Sequence, residues 1–145
     1  MIRVLIVEDD PMVAELNSRY LSLMPDFQLV AVVHDGKAAL DFLQKNSVDL
    51  ILLDVFMPKL DGLSLLHQIR TLHSQTDVIM VTAARSVDNI QSALRFGVID
   101  YIVKPFTLER FQIALMTYLE RTRILNNRSE IDQNLIDKRI FTNQK

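Results

Sequence analysis

The chain has 145 residues, of which 49% are apolar and 23% charged, so it is long enough to bury a core as one domain. It has no cysteine, which excludes a disulfide scaffold, thiol catalysis and any Cys-ligated metal, and fits a reducing compartment. Residues 1–122 carry 11 Lys/Arg against 15 Asp/Glu, and this acidic balance argues against nucleic-acid binding by that part. Residues 123–145 carry five Lys/Arg against three Asp/Glu. No apolar run approaches the roughly 20 residues that span a bilayer. The start, Met1-Ile2-Arg3-Val4, reads as a strand and not as a signal peptide. A cytoplasmic protein with no membrane contact is expected.

In chain order, Ile2–Val7 is a short apolar run closed by Glu8-Asp9-Asp10-Pro11. Asp10 is a natural N-cap and Pro11 fits a first helical turn. Val13, Leu16, Tyr20 and Leu23 then recur at helical spacing until Pro25-Asp26. Gln28–Val33 reads as a second strand and Asp35-Gly36 as a turn, with a helix over Ala38 to Gln44. Leu50–Leu53 is a third apolar run ending in Asp54, followed by the loop Met57-Pro58-Lys59-Leu60-Asp61-Gly62 and a helix holding Leu63, Leu66 and Ile69. Val78–Val81 ends in Thr82. A helix with Ile90, Ala93, Leu94 and Phe96 is stopped by Gly97, a good C′ residue. Ile99–Val103 ends in Lys104-Pro105, and Phe111, Leu115, Tyr118 and Leu119 line a last helix.

Five strands alternating with five helices imply βαβ units and a parallel sheet covered on both faces. The expected fold is α/β, a doubly wound five-stranded parallel sheet in the flavodoxin-like order 2-1-3-4-5. Residues 123–145 are polar, with Asn126-Asn127 and Asn143-Gln144. Ile131, Leu135 and Ile136 hint at a short amphipathic helix there. The expected division is a domain over 1–122 and a linker or tail over 123–145.

Such sheets place their sites at the carboxyl ends of the strands. In this order Glu8, Asp9, Asp54, Thr82 and Lys104 would gather in one shallow cleft. Three carboxylates need a counter-charge. Oxygen ligands favour a hard, hydrated cation, so Mg²⁺ is the expected occupant. A metal and a lysine beside one carboxylate suit phosphoryl chemistry. Asp54 would be the nucleophile, since aspartate forms acyl phosphates, and Thr82 would donate to a phosphoryl oxygen. Each residue alone has a plainer role: an N-cap, a turn residue, a strand-end cap, a loop lysine. Their joint occurrence at the correct strand ends carries the reading. His34, His67 and His73 read as surface residues, and Met12, Met24, Met57, Met80 and Met116 as gap-filling core.

Several motifs resemble the receiver domain of two-component response regulators, over about residues 2–122. They are Val4-Leu5-Ile6-Val7-Glu8-Asp9-Asp10, Leu52-Leu53-Asp54-Val55-Phe56-Met57-Pro58-Lys59-Leu60-Asp61-Gly62, Val81-Thr82-Ala83 and Tyr101-Ile102-Val103-Lys104-Pro105-Phe106. The resemblance implies that Asp54 is the phosphoacceptor. It makes Asp9 a direct Mg²⁺ ligand, Glu8 its partner through water, and the Phe56 backbone carbonyl a further ligand. It makes Thr82 and Tyr101 a switch pair, with Tyr101 rotating from exposed to buried, and Lys104 the counter-ion of the phosphate. It also implies a cis peptide at Lys104–Pro105. The acidic pair here is Glu-Asp where Asp-Asp is commoner.

Ala14-Glu15-Leu16-Asn17, Gly97-Val98-Ile99-Asp100-Tyr101 and Glu109-Arg110-Phe111 are similar to regulators of citrate and C4-dicarboxylate use, transcription factors with a C-terminal helix-turn-helix. The implied partner is a sensor histidine kinase. DNA would be reached only through an output domain beyond this chain, and a phosphorylation-dependent homodimer is possible. The alternative is a stand-alone receiver acting by protein–protein contact. A Mg²⁺-dependent phosphohydrolase would need a second acid two residues after the nucleophile, where Phe56 stands. A flavin carrier would need a phosphate-binding loop where Glu8-Asp9-Asp10-Pro11 stands. The expected protein is therefore a switch and not an enzyme. Phe56 and Ala84, two residues after Asp54 and Thr82, cannot orient a water, so a long-lived phosphorylated state is expected.

Overall fold

The apolar runs become strands and the periodic segments become helices. The computed structural model describes residues 1–57, 60–73, 75–126, 130 and 132–141. In chain order the elements are β1 (Ile2–Val7), α1 (Pro11–Ser22), β2 (Phe27–Val33), α2 (Gly36–Lys45), β3 (Leu50–Leu53), α3 (Gly62–Leu72), β4 (Asp77–Thr82), α4 (Val87–Arg95), β5 (Asp100–Val103) and α5 (Leu108–Asn126). A helical turn, α6 (Gln133–Leu135), and a π-helical segment over Ile136–Phe141 follow. The five strands pair in parallel in the order β2-β1-β3-β4-β5.

Strand side chains alternate between two buried clusters, one on each face of the sheet. Val4, Ile6, Leu52, Ile79 and Val81 face α1 and α5, where they meet Leu21, Phe111, Leu115 and Tyr118. Leu5, Val7, Ile51, Leu53, Val78 and Met80 face α2, α3 and α4, against Leu43, Leu65, Ile69 and Ala93. The central strands β1, β3 and β4 are buried on both sides, which is why they read as unbroken apolar runs.

The helix ends follow their capping chemistry. Asp10, Asp35, Asp61 and Ser86 each accept a backbone N–H from the first turn of α1, α2, α3 and α4. Gly97 follows α4 at φ +77°, the left-handed position that a C′ glycine fills at least cost.

Two expectations about the core need correction. The buried stripe of α1 is Ala14, Asn17 and Leu21, whereas Leu16 and the C-cap Leu23, expected there, are exposed. Apolar residues decorate the outer side of this helix as well, so hydrophobicity alone leaves its rotation ambiguous. Of the methionines, Met24 and Met80 are buried, but Met12 and Met116 are 82% and 50% exposed. Met116 follows Leu115 on the outward side of α5, and Met12 precedes the buried stripe of α1.

Position 122 lies within α5, which runs on to Asn126. Arg121 donates to the carbonyl of Ile140 at 3.1 Å, and Ile140 is buried. Leu135 and Ile136 are half-buried. Pro58, Lys59, Asn127, Ile131, Asn143 and Gln144 lie outside the described residues. Among the described residues no helix is long and apolar enough to cross a membrane.

Candidate functional site

Parallel pairing ends β1, β3 and β4 side by side, and the polar residue after or at each end enters one cleft. The ladder continues past the strands: Asp54 N donates to Val7 O at 3.1 Å, Glu8 N to Val33 O at 3.0 Å and Lys104 N to Thr82 O at 2.9 Å. These bonds fix the backbones of Glu8, Asp54 and Lys104.

One carboxylate oxygen from each of Glu8, Asp9 and Asp54 lies within 4.8 Å of the others. Glu8 and Asp54 are 2% and 4% exposed, whereas Asp9 faces solvent. Lys104 Nζ bonds to Glu8 Oε1 at 2.7 Å and stands 3.4 Å from Asp54 Oδ2. Asp54 Oδ1 accepts from Phe56 N at 3.3 Å, and Glu8 Oε2 accepts from Asp10 N at 3.1 Å. Burial pushes the Glu8 carboxyl up to about 7 against the pull of Lys104, and the charge of Asp54 pushes the same way. One ammonium against three carboxylates leaves excess negative charge in a half-closed cleft. An all-oxygen donor set with that imbalance fits a hard divalent cation.

Thr82 is fully buried. Its Oγ1 accepts from Ala84 N at 3.2 Å and from Val55 N at 3.4 Å. The Tyr101 hydroxyl donates to the carbonyl of Ala84 at 2.6 Å. The two side chains therefore hold opposite ends of one residue in the β4–α4 loop. Tyr101 was expected to start exposed; instead it is half-buried against the α2–α3–α4 side of the core, because that carbonyl anchors its ring inward. Burial, aided by the Asp54 charge, raises the phenol above its usual range.

Phe56 is 57% exposed at the rim of a cleft of about 680 Å³, shared with Asp9, Met57, Asp61, Leu63 and Asn89. Ala84 is 2% exposed. The Lys104–Pro105 peptide is cis.

His34 was missed. Its ring is exposed, as expected, but Nδ1 lies 2.9 Å from the carbonyl oxygen of Glu8. A carbonyl only accepts, so Nδ1 carries the proton. The only sequence signal was that β2 ends beside β1. His67 is also exposed, packed edge-on to Phe96, and His73 is half-buried as the C-cap of α3.

Residues 4–116 match the response regulator receiver domain. The chain is 45% identical over 141 residues to the transcriptional regulatory protein MalR of Bacillus subtilis, covering 97% of this chain and 60% of that protein. It is 43% identical over 144 residues to the probable C4-dicarboxylate response regulator DctR of Halalkalibacterium halodurans, covering 99% and 63%. The chain thus spans about 60% of the length of the curated relatives it matches. A chain of the crystal structure of the CheX–CheY–BeF3–Mg²⁺ complex from Borrelia burgdorferi superposes with a TM-score of 0.74 at 25% identity, over 81% of this chain and 89% of that one. A family match over 113 consecutive residues, on a sheet of this order, settles the classification: the chain belongs to the response regulator receiver domain family.

Proposed function

We propose that the chain is the phosphoacceptor switch of a two-component system. The observation that carries this is the meeting of the Glu8, Asp9 and Asp54 carboxylates within 4.8 Å, with Lys104 Nζ 3.4 Å from Asp54. Asp54 is the nucleophile. Its carboxylate oxygen attacks the phosphorus of a phosphohistidine on a sensor kinase. The P–N bond breaks, its electron pair stays on the imidazole, and an acyl phosphate forms on Asp54. Asp9, Asp54 and the Phe56 carbonyl would hold Mg²⁺, with Glu8 acting through water. When bound, the cation offsets charge on the phosphoryl oxygens during transfer. Lys104 offsets the remainder.

The phosphoryl group brings close to two negative charges and three strong acceptors. Thr82 Oγ1 now accepts from Ala84 N, and as its hydroxyl turns to donate to the phosphoryl group, that amide loses its partner. Tyr101 holds the same residue by its carbonyl. The β4–α4 loop is then the bistable element, and the face of α4, β5 and α5 is its readout. By likeness to a relative named as a transcriptional regulatory protein, the output would be transcription. On this reading it would be exerted in the cytoplasm, through a DNA-binding domain outside this chain and in a phosphorylation-dependent homodimer.

The test uses a small phosphodonor with Mg²⁺ and intact-protein mass. The chain should gain one phosphoryl group. Asp54→Asn should gain none, and Asp61→Asn, which alters the α3 N-cap at the cleft rim and leaves Asp54 in place, should still gain one. A phosphoryl group retained in Asp54→Asn would overturn the reading.

A further inference from the structure

Lys104 does not divide its ammonium evenly between its two anions. The 2.7 Å bond to Glu8 is a short charge-assisted hydrogen bond, and the 3.4 Å approach to Asp54 is at the outer limit of one. Glu8 is gripped throughout. Its N donates to Val33 O, its carbonyl accepts from His34, and Oε2 accepts from Asp10 N. The Lys104 backbone is also fixed, through its N to Thr82 O and its carbonyl from Arg85. Asp54 is held loosely, by contacts of 3.3 and 3.4 Å on its two oxygens. Its lone pairs remain available.

Length decides this. An aspartate at position 8 would be one methylene shorter, about 1.5 Å. With the backbone pinned on both sides, its carboxylate could not keep the 2.7 Å bond. The other anion in reach of the ammonium is Asp54.

We infer that Glu8 is the resting seat of Lys104, and that its extra methylene keeps the ammonium off Asp54 until a phosphoryl group draws it away. The inference rests on Asp54 being the phosphoacceptor. Glu8 is then a positioning residue. It sets how fast Asp54 reacts by holding the lysine that would otherwise clamp the nucleophile.

The test begins with the metal-free full chain, carrying ¹⁵N-lysine and ¹³C-carboxylates. Scalar coupling across the hydrogen bond reports which carboxyl carbon faces Lys104 Nζ. It should be that of Glu8 in the wild type and that of Asp54 in Glu8→Asp. Phosphorylation by acetyl phosphate is then timed, with Mg²⁺ saturating for each chain so that altered metal affinity does not enter. Glu8→Asp should react about fivefold more slowly. Coupling to Asp54 in the wild type overturns the inference, as does an undiminished rate in a variant whose lysine has moved. If neither chain is phosphorylated, the phosphoacceptor reading fails, and the Nζ coupling alone still decides where Lys104 sits. If the variant does not fold, the wild-type coupling decides.

Discussion

Gly62→Ala is the sharpest mechanical test of how the site is held. Gly62 opens α3, and its N–H donates to Val55 O at 2.8 Å, so the helix starts against the backbone that follows β3. A Cβ on Gly62 would stand 2.2 Å from Asp54 O, 2.6 Å from Val55 Cα and 2.9 Å from the Asp54 carbonyl carbon. All three are backbone atoms, so no rotamer relieves the clash. Restoring ordinary contact requires a displacement of about 1 Å or more. Asp54 cannot supply it freely, because its N is bonded to Val7 O and the preceding Leu53 pairs with both β1 and β4. The cost should reach the top of the overpacking range, about 3 kcal/mol. Urea unfolding should show that loss, and the melting temperature should fall by about 6–12 °C. Gly97→Ala is the control: no atom lies within 4 Å of its Cβ, and only the φ of +77° opposes the methyl, for about 1 kcal/mol. A Gly62→Ala loss below about 0.5 kcal/mol, or one smaller than that of Gly97→Ala, would refute the close approach.

Three further outcomes follow from the same cleft. Asp9→Asn should weaken Mg²⁺ binding at least about tenfold by calorimetry, since it removes one of three carboxylates; unchanged affinity would remove Asp9 from the ligand set. Thr82→Ala should still accept a phosphoryl group, but it has no hydroxyl to carry that event to the loop and Ala84 N lacks its acceptor whether or not Asp54 is phosphorylated, so amide shifts over residues 86–118 should change less on phosphorylation than in the wild type; equal changes would reject the loop route. Phe56→Asn should shorten the phosphorylated state by about threefold, because an amide at the cleft rim can orient the attacking water and the ring cannot. Loss of phosphoprotein after donor removal is the measurement, and an unchanged lifetime would show that another group controls water access. Ala84→Glu is a poor companion, since the methyl is buried and a carboxylate there would have to be desolvated or displace the loop.

Most of the fold was legible because the central strands β1, β3 and β4 are buried on both faces. A run such as Leu50–Leu53 leaves no choice of side, and polar or turn residues mark where it stops. β2 and β4 begin one residue before the expected bounds and β5 one residue after. Phe27 is apolar and joins the core, whereas Asp77 and Asp100 are placed by strand pairing, with Leu50 and Ile79, and not by hydropathy. The helices were less legible. α1 carries apolar residues on two sides, and it buries a polar one, Asn17, at 1% exposure, which no periodicity rule selects.

The cleft was legible as a set of residues and illegible as a set of bonds, and the reason is the same parallel topology. Parallel strands all end on one side, so knowing which residue closes each strand is enough to gather Glu8, Asp54, Thr82 and Lys104. It says nothing about which carboxylate takes the ammonium. That choice turns on differences of under 1 Å between residues 96 and 50 positions from Lys104. It also turns on anchors, such as His34 on the Glu8 carbonyl, that come from loops of unrelated sequence. The inward set of Tyr101 is of the same kind, fixed by one carbonyl in the β4–α4 loop. Charge near a strand end is therefore readable one residue at a time. The resting order of those charges, on which the readiness of Asp54 depends, is a property of the assembled cleft alone.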